Sequence, residues 1–225
     1  MIGIFDSGVG GIFAYNLVRK AMPLEDIIYL ADRKNAPYGT KTEDEILKFT
    51  KKNIQTLRNM GTKAILIACC SASTVYQRLN EEEKAIAIPI ITPTARVAAQ
   101  IGERIAVIAT RHTARSGAFS REIAKFSSCT VVELAEQPLV TLVEEGNRDG
   151  KISDGCGCYL KEMAERIRVT EADTLILGCT HFSHLEGEIS KLIPEVKIIS
   201  PARVGAEELI KKINNHRENG KIIYI

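Results

Sequence analysis

The chain has 225 residues, enough to bury a sizeable core as one large domain or two small ones. Apolar residues make up 45% and charged residues 26%, the balance of a soluble globular protein, and 30 basic against 28 acidic residues leave no nucleic-acid or membrane signal. No window reaches the roughly 18 apolar residues of a membrane span, and the start, MIGIFDSG, lacks the basic beginning and apolar run of a secretory leader.

Taken in order, short apolar runs alternate with longer amphipathic stretches. IGIF (2–5) predicts a buried strand, and DSGVGG (6–11) follows it at the opening of a helix. DIIYLA (26–31) predicts a second strand, and APYGTK (36–41) a tight loop presenting backbone donors and hydroxyls. TEDEILKFTKKNIQTLRNM (42–60) has helical spacing, with Thr42 as N-cap and Glu45 three residues on. Its run of lysines reads as a solvated face. Further strands are expected at AILIA (64–68), IPIIT (88–92), RIAVIAT (104–110), TVVEL (130–134), TLILG (174–178), VKIIS (196–200) and KIIYI (221–225). SDGCGCYLKEMAERI (153–167) and AEELIKKI (206–213) predict helices. Strand and helix alternate, so the expected class is α/β with mainly parallel sheets.

An internal echo organises the chain. ILIACCSAS (65–73) resembles LILGCTHFS (175–183): an apolar strand, a small residue, a cysteine, then a polar segment opening a helix. Cys69 and Cys179 hold matching places, 110 residues apart. Two similar lobes are therefore expected, each bringing a thiol to the carboxyl end of a strand; the division expected is residues 1–93 with 203–225 against residues 94–202. Ligands of open α/β sheets favour that end.

A cysteine at such a strand end faces a helix N-terminus, which should favour its thiolate. Two opposed thiols can act as acid and base on opposite faces of one carbon, as reversal of a stereocentre by proton transfer requires. The glycines of DSGVGG let backbone N–H groups approach an anion, and Asp6 and Ser7 add polar side chains. The spacing of Gly8, Gly10 and Gly11 is not the dinucleotide fingerprint. Ser71, Ser73, Thr110, Thr113 and Thr180 supply hydroxyls near strand ends.

IGIFDSGVGG, APYGTK, ACCSAS, ATRHTARSGAF (109–119), LVEEG (142–146) and LGCTHF (177–182) together resemble the glutamate racemases of the cofactor-independent aspartate/glutamate racemase superfamily, in family order over nearly the whole chain. The resemblance implies a two-lobed α/β enzyme with its site in the cleft between lobes. It implies Cys69 and Cys179 as catalytic thiols, Asp6 and His181 as assisting groups and Glu144 as a supporting carboxylate. Substrate contacts fall on Asp6, Ser7, Pro37, Tyr38, Gly39, Thr40, Cys70, Ser71, Thr110, Thr113, Thr180 and His181. It implies no cofactor, no metal, glutamate as small-molecule substrate, a cytoplasmic homodimer, and a product used in peptidoglycan. Neither nucleic acid nor membrane is an expected partner.

Departures and plainer readings stand beside this. The family usually reads C-N-T-A-S where this chain has CCSAS, so Cys70 replaces an asparagine and Ser71 keeps a hydroxyl. Aspartate or another acidic amino acid is therefore an alternative substrate, and a silent amino-acid-binding protein on the same scaffold is a second alternative. The chain also ends at KIIYI, ahead of a final helical segment that such racemases often carry. Buried cysteine packs like a small hydrophobe, the plainer account of Cys70. Asp6 is equally suited to capping a helix, and Glu145 competes with Glu144. Cys156 and Cys158 suit structural roles, Cys129 a strand and His184 the surface. Cysteines in a chain of this size outside the secretory route are expected to be reduced.

Overall fold

The structure is a computed structural model that describes residues 1–149 and 154–218. The strand expected at 221–225 and the side chains of Glu145 and Cys156 lie outside the described residues. Among the described residues, eight strands form two four-stranded sheets. The first contains β1 (Ile2–Asp6), β2 (Ile27–Ala31), β3 (Ala64–Ile67) and β4 (Ala87–Pro89) in the order β2-β1-β3-β4. The second repeats that order as β6-β5-β7-β8, from β5 (Arg104–Ala109), β6 (Thr130–Ala135), β7 (Thr174–Gly178) and β8 (Lys197–Ile199). All pairings are parallel.

The register repeats too. Phe5 lies beside Ile67 in the first sheet, and Ile108 beside Leu177, 110 residues after Ile67, in the second. Counting on by two, Ser7 corresponds to Thr110 and Cys69 to Cys179. The weak echo in sequence is thus a repeated supersecondary unit.

Parallel sheets need cover on both faces, which is why their strands read as unbroken apolar runs. The helices supplying that cover are α1 (Ile12–Ala21), α2 (Glu43–Asn59), α3 (Cys70–Ser73), α4 (Glu81–Ile86), α5 (Ile91–Ile101), α6 (Arg111–Ser116), α7 (Ala118–Ile123), α8 (Gln137–Asp149), α9 (Asp154–Val169), α10 (Glu186–Leu192) and α11 (Pro201–Glu218). One apolar cluster joins side chains of both sheets to Val18 of α1, Ala95 of α5, Phe119 of α7 and Leu209 of α11. The opposite face of the first sheet packs on Ile46, Ile54 and Leu57 of α2. That of the second packs on Val140 of α8, Met163 of α9 and Ile189 of α10. Full burial of an Ile, Leu or Phe contributes about 1.5–3 kcal/mol, so this shared middle layer holds the two sheets in one arrangement.

Local signals account for several boundaries. Thr42 caps α2 with the expected box: its hydroxyl accepts from Glu45 N at 3.3 Å, and Glu45 Oε2 accepts from Thr42 N at 2.9 Å. The expected strand 88–92 stops at Pro89, and α5 begins at Ile91. A proline at 93 is compatible with a helix there because it falls in the first turn, where its missing N–H has no intrahelical partner. The helix expected at 206–213 begins earlier, at Pro201, a favoured first helical residue. No described helix is long and apolar enough to cross a membrane.

Candidate active site

One pocket opens where six strands deliver their carboxyl ends, three from each sheet. After β1 come Ser7 and Gly8, after β2 Ala36 to Gly39, and after β3 Cys69 to Ser71. The second sheet contributes Thr110 after β5, Gln137, Val140 and Glu144 after β6, and Cys179 to His181 after β7. The pocket encloses about 400 Å³ including its open mouth. Both thiols line it, and both are buried.

The surroundings of the two sulfurs differ. Cys69 Sγ donates toward Ser7 Oγ at 3.6 Å and accepts from Ala72 N at 3.5 Å. Burial and then the nearby Asp6 carboxylate push Cys69 up to about 12, against the pull of those two groups. The expected thiolate at a helix N-terminus is corrected here. The helix behind Cys69 spans only four residues, and its dipole does not offset desolvation.

Cys179 Sγ instead faces His181 Nδ1 at 3.7 Å, and His181 Nε2 lies 3.2 Å from Glu144 Oε1. A carboxylate, an imidazole and a thiol therefore stand in series. Burial pulls His181 down, but Cys179, Glu144 and Asp6 outweigh it and hold the imidazole well above the usual histidine value. Glu144 is partly exposed at the mouth, whereas His181 is buried.

Asp6 is wholly buried and does not line the pocket. Its Oδ1 accepts from Gly8 N at 2.7 Å and its Oδ2 from Thr180 Oγ1 at 3.0 Å, so it ties the first lobe's loop to the second lobe. Tyr29 OH donates to Gly8 O at 3.0 Å, fixing the same loop from β2. A Cβ at Gly10 would sit 2.5 Å from Thr180 Oγ1 and 2.8 Å from His181 N, so only glycine permits this approach.

Ser71, Thr110 and Thr113 form a buried triangle of hydroxyls, each pair 3.0 Å apart, across the two lobes. Thr113 stands behind the pocket wall, and the Thr40 hydroxyl turns to Pro37 O at an exposed position. The geometry brings neither to the pocket, unlike the remaining expected contacts Pro37, Tyr38, Gly39, Cys70 and Thr180. Cys70 lines the pocket and also packs in the shared apolar cluster, consistent with its plainer reading. Ser73 serves the fold, accepting from Ile90 N and donating to Ile67 O.

Sequence reasoning missed Gln137 and Val140, which share one face of α8 with Glu144 at helical spacing. It also missed Asp32, whose Oδ2 accepts from Tyr38 OH at 2.5 Å; Asn53 Nδ2 lies 3.1 Å from that hydroxyl. His184 is exposed, Cys158 is exposed, and Cys129 immediately precedes β6.

The profile of the Asp/Glu/hydantoin racemase family matches residues 15–209. A glutamate racemase of Persephonella marina is 36% identical over 214 residues, covering 94% of this chain and 82% of the relative. Among solved structures, a glutamate racemase from Francisella tularensis subsp. tularensis in complex with D-glutamate aligns with a TM-score of 0.87 at 30% identity, over 99% of this chain and 84% of that one. A glutamate racemase from Bacillus anthracis aligns with a TM-score of 0.85, also at 30% identity, over 96% and 82% of the two chains.

Proposed function

The chain belongs to the Asp/Glu/hydantoin racemase family and is an amino-acid racemase, and from that premise we propose how its pocket interconverts L- and D-glutamate. The observation that carries the reading is the convergence of Cys69 and Cys179, from equivalent strand ends, on one pocket. A thiolate on one side breaks the Cα–H bond and takes the proton. The resulting planar carbanion accepts a proton from the thiol on the other side. The two sulfurs exchange protonation states, so each turnover leaves the site set for the reverse direction.

Cys69, pushed up to about 12, is the proton-bearing member in the resting site. His181 and Glu144 stand in series beside Cys179, placed to balance and orient the negative charge it carries after giving up its proton. Asp6 acts from behind the wall by holding the loop of Ser7 and Gly8 against Thr180. Hydroxyls of Ser7, Ser71 and Thr110 and backbone N–H groups receive the carboxylates, preorganised where negative charge grows. No cofactor enters this reading, because the thiol pair supplies both proton transfers.

The remaining context is part of the same proposal. D-glutamate made in the cytoplasm supplies peptidoglycan synthesis, and the working protein is a homodimer. The lobes are residues 1–93 with 203–225 and residues 94–202.

The test is a chiral assay of folded protein with L- and D-glutamate and with L- and D-aspartate. Glutamate should be inverted fastest, in both directions. Failure to invert any of the four rejects the reading, and faster inversion of aspartate moves it to the other acidic substrate.

A further inference from the structure

We infer that Gln137 reads the side-chain carboxylate of the substrate and sets the length of acidic amino acid the site accepts. The inference rests on the racemase reading above.

The starting point is what the pocket lacks. No lysine or arginine is among its lining residues, yet glutamate brings two carboxylates. His181, the one lining side chain held toward a cationic form, is engaged by Cys179 and Glu144, so neutral donors do most of the holding. Within that lining Gln137 is the sole side-chain amide, since Cys70 carries none.

Its orientation follows from its partners. Gln137 Oε1 accepts from Arg111 N at 3.3 Å. An N–H donor at that point requires the oxygen there, which fixes the amide's direction and leaves Nε2 with two hydrogens to give. Among the described residues no hydrogen bond from Nε2 is found within the protein. Gly39 faces the same oxygen: a Cβ there would lie 2.5 Å from Oε1 and 2.6 Å from Thr110 Cβ. Glycine at 39 thus leaves room for the amide between the two lobes.

Where α8 begins is also fixed. Glu136, immediately before Gln137, is buried and gripped by Arg166, whose Nη2 lies 3.0 and 2.9 Å from its two oxygens. Tyr159 OH donates to the same carboxylate. The helix start is therefore anchored from α9, as a group that measures distance requires.

Topology says which carboxylate. Cys179 follows β7, Thr110 follows its neighbour β5, and Gln137 follows β6, one strand further. Strands lie about 4.8 Å apart, so the start of α8 is about 10 Å across the sheet from the thiol-bearing strand end. The α-carbon belongs at the thiols and the α-carboxylate beside it, within reach of Ser71 and Thr110. Only the distal carboxylate extends toward α8, and one methylene fewer brings it up short. Gln137 therefore favours glutamate over aspartate.

The experiment compares wild type with Gln137→Ala and the nearly isosteric Gln137→Glu, using racemisation kinetics on glutamate and aspartate, D-glutamate binding by calorimetry, and thermal melting to confirm folding. Loss of a hydrogen bond to a charged group predicts about a tenfold rise in KM and Kd for glutamate in Gln137→Ala. Its kcat should stay within about threefold, and the kcat/KM preference for glutamate over aspartate should fall about tenfold. Gln137→Glu, which places like charge against the carboxylate, should bind glutamate more weakly still. Wild-type racemisation with an unchanged KM and preference in folded Gln137→Ala overturns this inference alone. A folded wild type that neither binds nor inverts glutamate overturns it together with the racemase reading.

Discussion

Cys69 and Cys179 occupy equivalent ends of the third strand in their respective sheets and share one pocket, but each sulfur has a different companion. Cys69 meets the Ser7 hydroxyl and Cys179 the His181 ring. The backbone repeats while the chemistry does not. That difference gives the two faces of the substrate unlike proton carriers.

Changing either thiol to alanine should lower racemisation by about 10²–10⁴, the usual contribution of a positioned acid or base. The two variants should fail differently. Each keeps one sulfur, so each should still exchange the α-hydrogen of one enantiomer with solvent, without inversion and with opposite preference. NMR of the α-position in deuterated water checks this. Equal exchange of both enantiomers by a single variant would contradict separate faces.

Glu144→Gln should reveal the raised His181 through pH. A histidine whose folded value exceeds its unfolded value, near 6.5, contributes fully below that pH and loses the contribution as pH rises through the folded value. Removing the Glu144 charge lowers the folded value and shrinks that contribution. Melting temperatures should therefore differ most near about pH 6 and converge as pH rises through the folded value. A deficit that widens with rising pH contradicts the pairing.

Tyr38→Phe removes the hydroxyl that links Asp32 to Asn53. Burial, followed by the Asp32 contact, holds that phenol well above its ordinary value, so it donates and does not ionise. Loss of the hydroxyl should cost about 1–2 kcal/mol in urea unfolding and raise KM, because Tyr38 also lines the pocket. An unchanged unfolding midpoint would show that the network does not hold this loop.

Thr113→Val keeps the shape and deletes one corner of the hydroxyl triangle. Thr113 is fully buried and off the pocket wall, so its effect passes through Ser71 and Thr110. About 1 kcal/mol of stability should be lost. KM should rise while kcat changes little, as steady-state kinetics would register. A lower kcat at unchanged KM would place Thr113 in the chemistry instead.

Much of this was legible in the amino acids. Strands covered on both faces appear as β-branched runs such as AILIA and TLILG, and the cysteine after each run carries the internal repeat. Helix α5 was hidden because ITPTARVAAQI opens with β-branched residues that prolong the apolar run of β4, and strand and helix are alike over so short a span. Asp6 was legible as a partner, but its place behind the wall depends on Thr180 from the other lobe. Gln137 had no motif to announce it. Its one signal was the spacing of Gln137, Val140 and Glu144 on a single helical face, which acquires meaning only once the pocket is known. The high value of Cys69 could not be read from its motif, since burial and the approach of Asp6 arise from tertiary packing.

The most direct measurement follows deuterium during the first turnovers of wild-type protein with L-glutamate in deuterated water. Two separate proton carriers predict that newly formed D-glutamate carries solvent deuterium at Cα while the remaining L-glutamate stays protiated. Deuterium appearing in the unconverted L-glutamate as fast as in the product would mean that a single group serves both faces, and the two-thiol account would fail.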